Sequence, residues 1–267
     1  MDSRPIGIFD SGVGGLTVAK EIRRLLPHES TIYVGDTARV PYGTKTPEEL
    51  IKFSREIIHF LLSKNVKAVV LACGTSSSVT YEQLLIDFPD LPLIDVIRPG
   101  VDTCAEMAKL RPDIRFGLIA TAATVKSGLF SRLLAEKCPG VTLHSRACPL
   151  FASMVESGLD TSHPAVRFAV ENYLSDLRDQ IDALVLGCTH YPLLTNALAA
   201  TLGNVEFINI GEAAAVVTKE RLMQKNILAG ENSTPTHSYY VSGIADVFRA
   251  TGSLILGEDC TPAQVSW

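Results

Sequence analysis

The chain has 267 residues, 46% of them hydrophobic, and carries 24 basic against 29 acidic side chains for a formal charge of −5. That length and apolar content suit one large or two modest α/β domains with packed cores. The acidic balance, with no run of Lys or Arg, excludes the electrostatic footprint of a nucleic-acid binder, and no apolar stretch reaches the roughly 20 residues of a membrane span.

Residues 1–5 run into a strand-like segment without an apolar leader, so a cytoplasmic setting is expected. The six cysteines are then expected as free thiols, and the partner as a small molecule. Strand-like segments at 5–10, 31–35 and 68–73 alternate with helix-like ones at 15–26, 47–64 and 77–88, the βαβ rhythm of a parallel sheet. The rhythm restarts after Pro99. A strand at 115–121 precedes a helix at 125–137, a strand at 141–144 precedes helices at 151–157 and 164–179, and a strand at 183–188 precedes a helix at 192–202. A strand at 207–210, a helix at 212–223, a polar loop at 230–237, a strand at 239–241 and a helix at 245–251 complete the chain. Gly7 precedes Cys73 by nearly the interval at which Gly117 precedes Cys188, which reads as a duplicated unit. The predicted architecture is α/β, with two pseudo-symmetric, flavodoxin-like parallel-sheet domains facing a cleft. The first takes residues 1–97 plus 211–267 and the second 98–210, with crossovers at 92–99 and 209–211.

Two segments nearly repeat each other around a cysteine: Ala68-Val69-Val70-Leu71-Ala72-Cys73-Gly74-Thr75 and Ala183-Leu184-Val185-Leu186-Gly187-Cys188-Thr189-His190. Both thiols fall at carboxyl ends of strands, where open α/β sheets bind ligands and where the next helix offers unpaired N–H groups. A helix N-terminus also lowers a thiol pKa from its reference of about 8.5. Thiols on equivalent units can approach one small molecule from opposite faces, as a racemase without a cofactor requires. Cys104, Cys138, Cys148 and Cys260 lack this context and read as structural or surface thiols. His190 is placed to orient or protonate Cys188, with Asp10 and Glu156 as supporting groups. Without C-x-x-C or H-E-x-x-H, no metal site is expected.

The glycine-rich bend Gly7-Ile8-Phe9-Asp10-Ser11-Gly12-Val13-Gly14-Gly15-Leu16-Thr17 allows close backbone approach to an anion, or is a tight turn in which Asp10 caps the helix. Thr17 stands where a dinucleotide fingerprint needs glycine, and no P-loop is present. The segment Val34-Gly35-Asp36-Thr37-Ala38-Arg39-Val40-Pro41-Tyr42-Gly43 follows the second strand, so Tyr42 and Gly43 are expected at the cleft.

These segments, with Cys148-Pro149-Leu150-Phe151, Glu156 and Leu186-Gly187-Cys188-Thr189-His190-Tyr191-Pro192-Leu193, resemble the glutamate racemase family over nearly the whole chain. The resemblance implies a cofactor-independent enzyme that converts L-glutamate to D-glutamate for peptidoglycan. It implies Cys73 and Cys188 as the two acid/base residues. It also implies contacts to substrate or to these thiols from Asp10, Ser11, Tyr42, Gly43, Thr75, Thr189 and His190, with Thr121 and Thr124 on the second domain's side, and a homodimer. One departure is Gly74, where the family usually has Asn. Its missing amide is expected to loosen that wall of the pocket, leaving water, Ser76 or Ser77 to take its place. Asn209 replaces an acid of many relatives. Rival readings are a racemase of aspartate or another amino acid on the same scaffold, a hydrolase or decarboxylase using Cys188 with His190, and a binding protein derived from a racemase.

Overall fold

The structure, a computed structural model, describes residues 1–267. The first half of the chain forms β1 (Ile6–Asp10), α1 (Leu16–Leu25), β2 (Thr31–Gly35), α2 (Pro47–Ser63), β3 (Ala68–Leu71), α3 (Gly74–Asp87), β4 (Leu93–Ile94) and α4 (Ile97–Leu110). The second begins with β5 (Arg115–Ala120), α5 (Ala122–Ser127), α6 (Leu129–Lys137), β6 (Thr142–Ala147), α7 (Pro149–Glu156) and α8 (Pro164–Leu174). It continues through β7 (Ala183–Leu186), α9 (Thr195–Leu202), β8 (Glu206–Asn209), α10 (Ile210–Gln224), β9 (His237–Val241), α11 (Ala245–Leu256) and β10 (Ala263–Gln264). No helix is long and apolar enough to cross a membrane.

Every strand pairing is parallel, in a six-stranded sheet ordered β10-β9-β2-β1-β3-β4 and a four-stranded sheet ordered β6-β5-β7-β8. Four strands of the first sheet, β2-β1-β3-β4, therefore follow the same order as the whole second sheet. The registers agree as well: Gly7 pairs with Val69, four residues before Cys73, and Gly117 pairs with Leu184, four residues before Cys188. In such an order the connections on either side of the first strand leave on opposite faces, opening a crevice beyond the carboxyl ends of β1 and β3 and, equivalently, of β5 and β7.

Local sequence explains the element boundaries near the site. Thr46 accepts the Glu49 backbone N–H while Glu49 accepts that of Thr46, and Pro47 occupies the first helical position, so α2 starts with a full capping box. The helix expected at 77–88 begins three residues earlier, making Cys73 the residue that caps α3. The helix expected at 125–137 is two helices, because Gly128 adopts the left-handed conformation at φ +63°. The crossover expected at 92–99 instead contains β4 and the first turn of α4, where Pro99 sacrifices no helical hydrogen bond. The helix expected at 164–179 ends at Leu174 with a 3-10 turn at Ser175–Leu177, and β10 lies beyond residue 251, where the sequence pattern assigns no element.

The main apolar core joins the two sheets. It runs from Ile6, Ile8, Val70 and Leu16 through Ile97, Val101 and Ile210 to Phe116, Leu118 and Val185. A Cβ on Gly100 would stand 2.9 Å from Ile210 Cγ2, so glycine there lets α4 pack closely on α10. Asn209 caps α10 by accepting the Gly211 N–H at 2.9 Å and lies away from the cavity, which gives it a structural task.

Candidate active site

A cavity of about 250 Å³ lies between the carboxyl edges of the two sheets. Its volume suits one small ligand. The first sheet contributes Asp10 and Ser11 after β1, Tyr42 and Gly43 after β2, and Cys73, Gly74 and Thr75 after β3. The second contributes Thr121 after β5, Glu156 at the end of α7, and Cys188, Thr189 and His190 after β7. Thr124 is the exception among the sequence-predicted residues. It is buried behind Thr121, whose hydroxyl it meets at 2.9 Å, because it sits one turn into α5 with its hydroxyl near Gly74 at the start of α3. Sequence reasoning missed Val40, Pro41 and Thr44 on one side and Ala122, Pro149, Ala152 and Ser153 on the other. They are small or apolar wall residues whose types carry no chemical signal. A larger, open groove beside Arg4, Phe88 and Lys225 lies at the amino ends of the strands, away from both thiols.

Cys73 and Cys188 are each 6% exposed. The Cys73 sulfur lies 3.8 Å from the Ser11 hydroxyl. Cys188 Sγ lies 3.6 Å from His190 Nδ1, and His190 Nε2 lies 3.0 Å from Glu156 Oε1, so one thiol heads a hydrogen-bonded relay. Two hydroxyl bridges tie the sheets together across the cleft. Thr189 donates to Asp10 Oδ2 at 3.2 Å, and the Thr75 and Thr121 hydroxyls meet at 3.0 Å. Each thiol-bearing loop thus reaches the end of the other sheet's central strand. Asp10 is held by the Gly12 N–H at 2.8 Å, and the Thr17 hydroxyl donates to the Thr189 carbonyl at 2.9 Å.

The glycine-rich bend also has a packing task. A Cβ on Gly12 would stand 2.6 Å from Glu156 Oε1, and one on Gly14 would stand 2.5 Å from the His190 ring. These glycines make room for side chains arriving from the second sheet. Gly74 likewise opens no gap. A Cβ there would stand 2.6 Å from the Gly187 carbonyl oxygen, while Ser76 and Ser77 are buried off the cavity wall. The expected loosening of this wall is therefore absent.

Electrostatics distinguish the two halves. Burial pushes the Cys73 thiol up to about 11, aided by the nearby Asp10 charge and opposed by Ser76 and Ser11. The helix terminus does not overcome this desolvation, contrary to the lowered value expected from sequence. Burial also raises Asp10, against the pull of His190, Gly12 and Thr189. For His190, burial works to lower the pKa, but hydrogen bonds to Cys188 and Glu156 and the Asp10 charge outweigh it, holding the imidazole well above its usual value. These contacts draw the imidazole toward its cationic form. No group of three or more His, Cys, Asp or Glu side chains converges as a metal site.

Paired parallel sheets that share one cavity at their carboxyl edges place the protein among α/β enzymes whose active site is built by both halves of the chain. Residues 14–218 match the Asp/Glu/hydantoin racemase family, and the chain belongs to it. It is 42% identical over 266 residues to a glutamate racemase of Desulforudis audaxviator, with 96% of this chain and 95% of the relative covered. A glutamate racemase structure from Bacillus anthracis superposes with a TM-score of 0.92 at 36% identity, covering 100% of this chain and 98% of that one. A Francisella tularensis glutamate racemase structure in complex with D-glutamate superposes with a TM-score of 0.89 at 35% identity, with the same coverage.

Proposed function

We propose that the chain is a glutamate racemase that interconverts L- and D-glutamate without a cofactor, using Cys73 and Cys188 as its two bases and supplying D-glutamate for peptidoglycan. The observation that carries this reading is the equivalent placement of the two buried thiols, one from each sheet, on a single cavity. One thiolate takes the α-proton and becomes a thiol, while the electron pair left on the α-carbon delocalises into the carboxylate. The opposite thiol then delivers its proton to the other face and becomes a thiolate. The product leaves with inverted configuration, and the two sulfurs have exchanged protonation states.

The first-turn N–H groups of α3, at Gly74 and Thr75, have no partner within the helix and point to the cavity end, so they suit the α-carboxylate and the charge that grows on it. His190, drawn toward its cationic form, suits the role of counter-ion for a Cys188 thiolate, and Glu156 holds that ring from behind. Asp10 serves the amino-group side and Cys73, while Ser11, Tyr42, Gly43, Thr121 and Thr189 shape the remaining wall. Thr124 acts through Thr121. The domain division at 97/98 and 210/211, a cytoplasmic setting and a homodimer complete the proposal. The test is a chiral assay of L-glutamate, D-glutamate and L-aspartate without added cofactor. Interconversion of the glutamate enantiomers is expected; turnover of aspartate alone, or release of carbon dioxide or ammonia, would overturn the assignment.

A further inference from the structure

Asp36 follows β2, is fully buried, and carries one of the most saturated carboxylates in the chain. Its Oδ2 accepts the Arg39 Nε–H at 2.6 Å and the Tyr42 hydroxyl, and its Oδ1 accepts the Ser242 hydroxyl at 2.7 Å and the Trp267 indole N–H at 2.8 Å. Four donors match the roughly four lone-pair sites of a carboxylate, so removal of any one leaves a buried lone-pair site unfilled. Tyr42 is the member of this group that lines the cavity, and it packs with Leu50 against Cys73. Trp267 reaches Asp36 because β10 pairs with β9 and Val265 donates to Val241, which carries the last residue of the sequence back across the sheet. There its ring meets Phe60 edge-on at 5.9 Å and lies 5.2 Å from the Arg39 guanidinium, which also covers Phe53 at 4.0 Å.

We propose that Trp267 is a positioning residue for substrate binding: its indole N–H completes the Asp36 carboxylate, which fixes Tyr42 and with it the 40–44 wall of the cavity beside Cys73. The indole touches neither thiol nor the cavity, so its influence arrives through Asp36 and Tyr42, with Arg39 and Phe53 packed alongside. Because the wall belongs to binding rather than to proton transfer, the effect falls on KM. This inference rests on the racemase reading, but the order of the wall does not.

The test uses Trp267→Phe, which keeps a ring and removes the donor. It also uses replacement of this sole tryptophan by benzothienylalanine, which keeps both fused rings and exchanges N–H for sulfur. Both proteins are expected to raise the KM for glutamate about fivefold while kcat stays within about twofold, as loss of a binding-only interaction does. Backbone hydrogen exchange is expected to accelerate in peptides covering 36–44 and to stay unchanged in β1 and β3. Unchanged KM, or unchanged exchange at 36–44, overturns the proposal. So does a parallel loss of kcat and melting temperature, which marks a general structural role. A wild-type protein that fails to racemise glutamate while the exchange result holds defeats the racemase reading and leaves the Trp267–Tyr42 coupling standing.

Discussion

The carbonyl oxygen of Gly187 occupies the place beside Gly74 that a side chain would need, 2.6 Å from the missing Cβ. These two glycines adjoin Cys73 and Cys188, so their contact helps set the separation of the thiol-bearing loops. A side chain at 74 must push against backbone rather than a yielding side chain, and overpacking of this kind costs about 1–3 kcal/mol.

Gly74→Asn is therefore expected to impair the enzyme. Displacing the α3 terminus from the β7 loop moves both sulfurs, so kcat/KM for glutamate should fall at least about tenfold, with part of the loss in kcat. Steady-state kinetics in both directions decide the matter. Tighter glutamate binding by this variant contradicts the close packing at Gly187.

Cys73→Ser and Cys188→Ser should each lower racemisation by about a thousandfold or more, since a hydroxyl is a poor base and inversion needs both faces. Each variant should still exchange the α-proton of one enantiomer with solvent, and the two variants should choose opposite enantiomers. Proton NMR in deuterium oxide reads this directly. Full activity in either variant excludes the two-thiol mechanism.

The raised Cys73 pKa makes a separate claim about free enzyme. With the thiol pushed up to about 11, Cys73 is protonated at neutral pH, and its thiolate fraction grows about tenfold for each pH unit below that value. In Cys188→Ser, alkylation by iodoacetamide at the Cys73 peptide should be slow at pH 7 and should accelerate steeply toward pH 10, with protection by D-glutamate. A plateau in the alkylation rate near pH 7 contradicts the burial argument.

Much of this site was visible in the sequence, and the parts that were not share a physical reason. Apolar runs ending in Cys-Gly-Thr and Cys-Thr-His mark buried parallel strands and their ligand edge, so the thiols, Asp10 and Tyr42 could be placed from pattern, with Thr189 implied by the family resemblance. Contacts between segments distant in the chain leave no such pattern. Nothing local in Gly12-Val13-Gly14 announces Glu156 and His190 as the groups those glycines accommodate, and nothing in the last residues announces the Trp267 bond to Asp36. Helix α4 was overlooked because Arg98-Pro99-Gly100 reads as a break, whereas proline is harmless in a first turn.

The Glu156 relay predicts a shift in pH dependence. Its hydrogen bond helps raise His190, so Glu156→Gln should lower the imidazole pKa, and the cationic form should be lost at lower pH than in wild type. The alkaline limb of the rate profile assigned to this ring should move down in pH, and kcat/KM at pH 8 should fall about ten- to a hundredfold. Titration of the His190 ring by NMR supplies the direct measurement. An unchanged ring titration in the variant removes Glu156 from the relay.

At the opposite edge of the first sheet, Lys67 and Glu29 form a buried pair that should govern stability without touching catalysis. Lys67 Nζ lies 2.5 Å from Glu29 Oε2 and donates to the Asp2 carbonyl, while Glu29 Oε1 accepts the Ala229 N–H. Both residues are almost completely buried, just before β3 and β2. Removing one partner from such a pair strands the other charge and costs about 3–5 kcal/mol. Lys67→Met should therefore lower the melting temperature by about 10 °C, given the few degrees expected per kcal/mol in a chain of this size. Adding Glu29→Gln should recover part of the loss, because the stranded charge is then gone. The glutamate KM measured well below the transition should remain at the wild-type value in both proteins, since the pair sits at the amino ends of strands whose carboxyl ends carry the site. A changed KM with an unchanged melting temperature would reverse that division of labour between the two edges of the sheet.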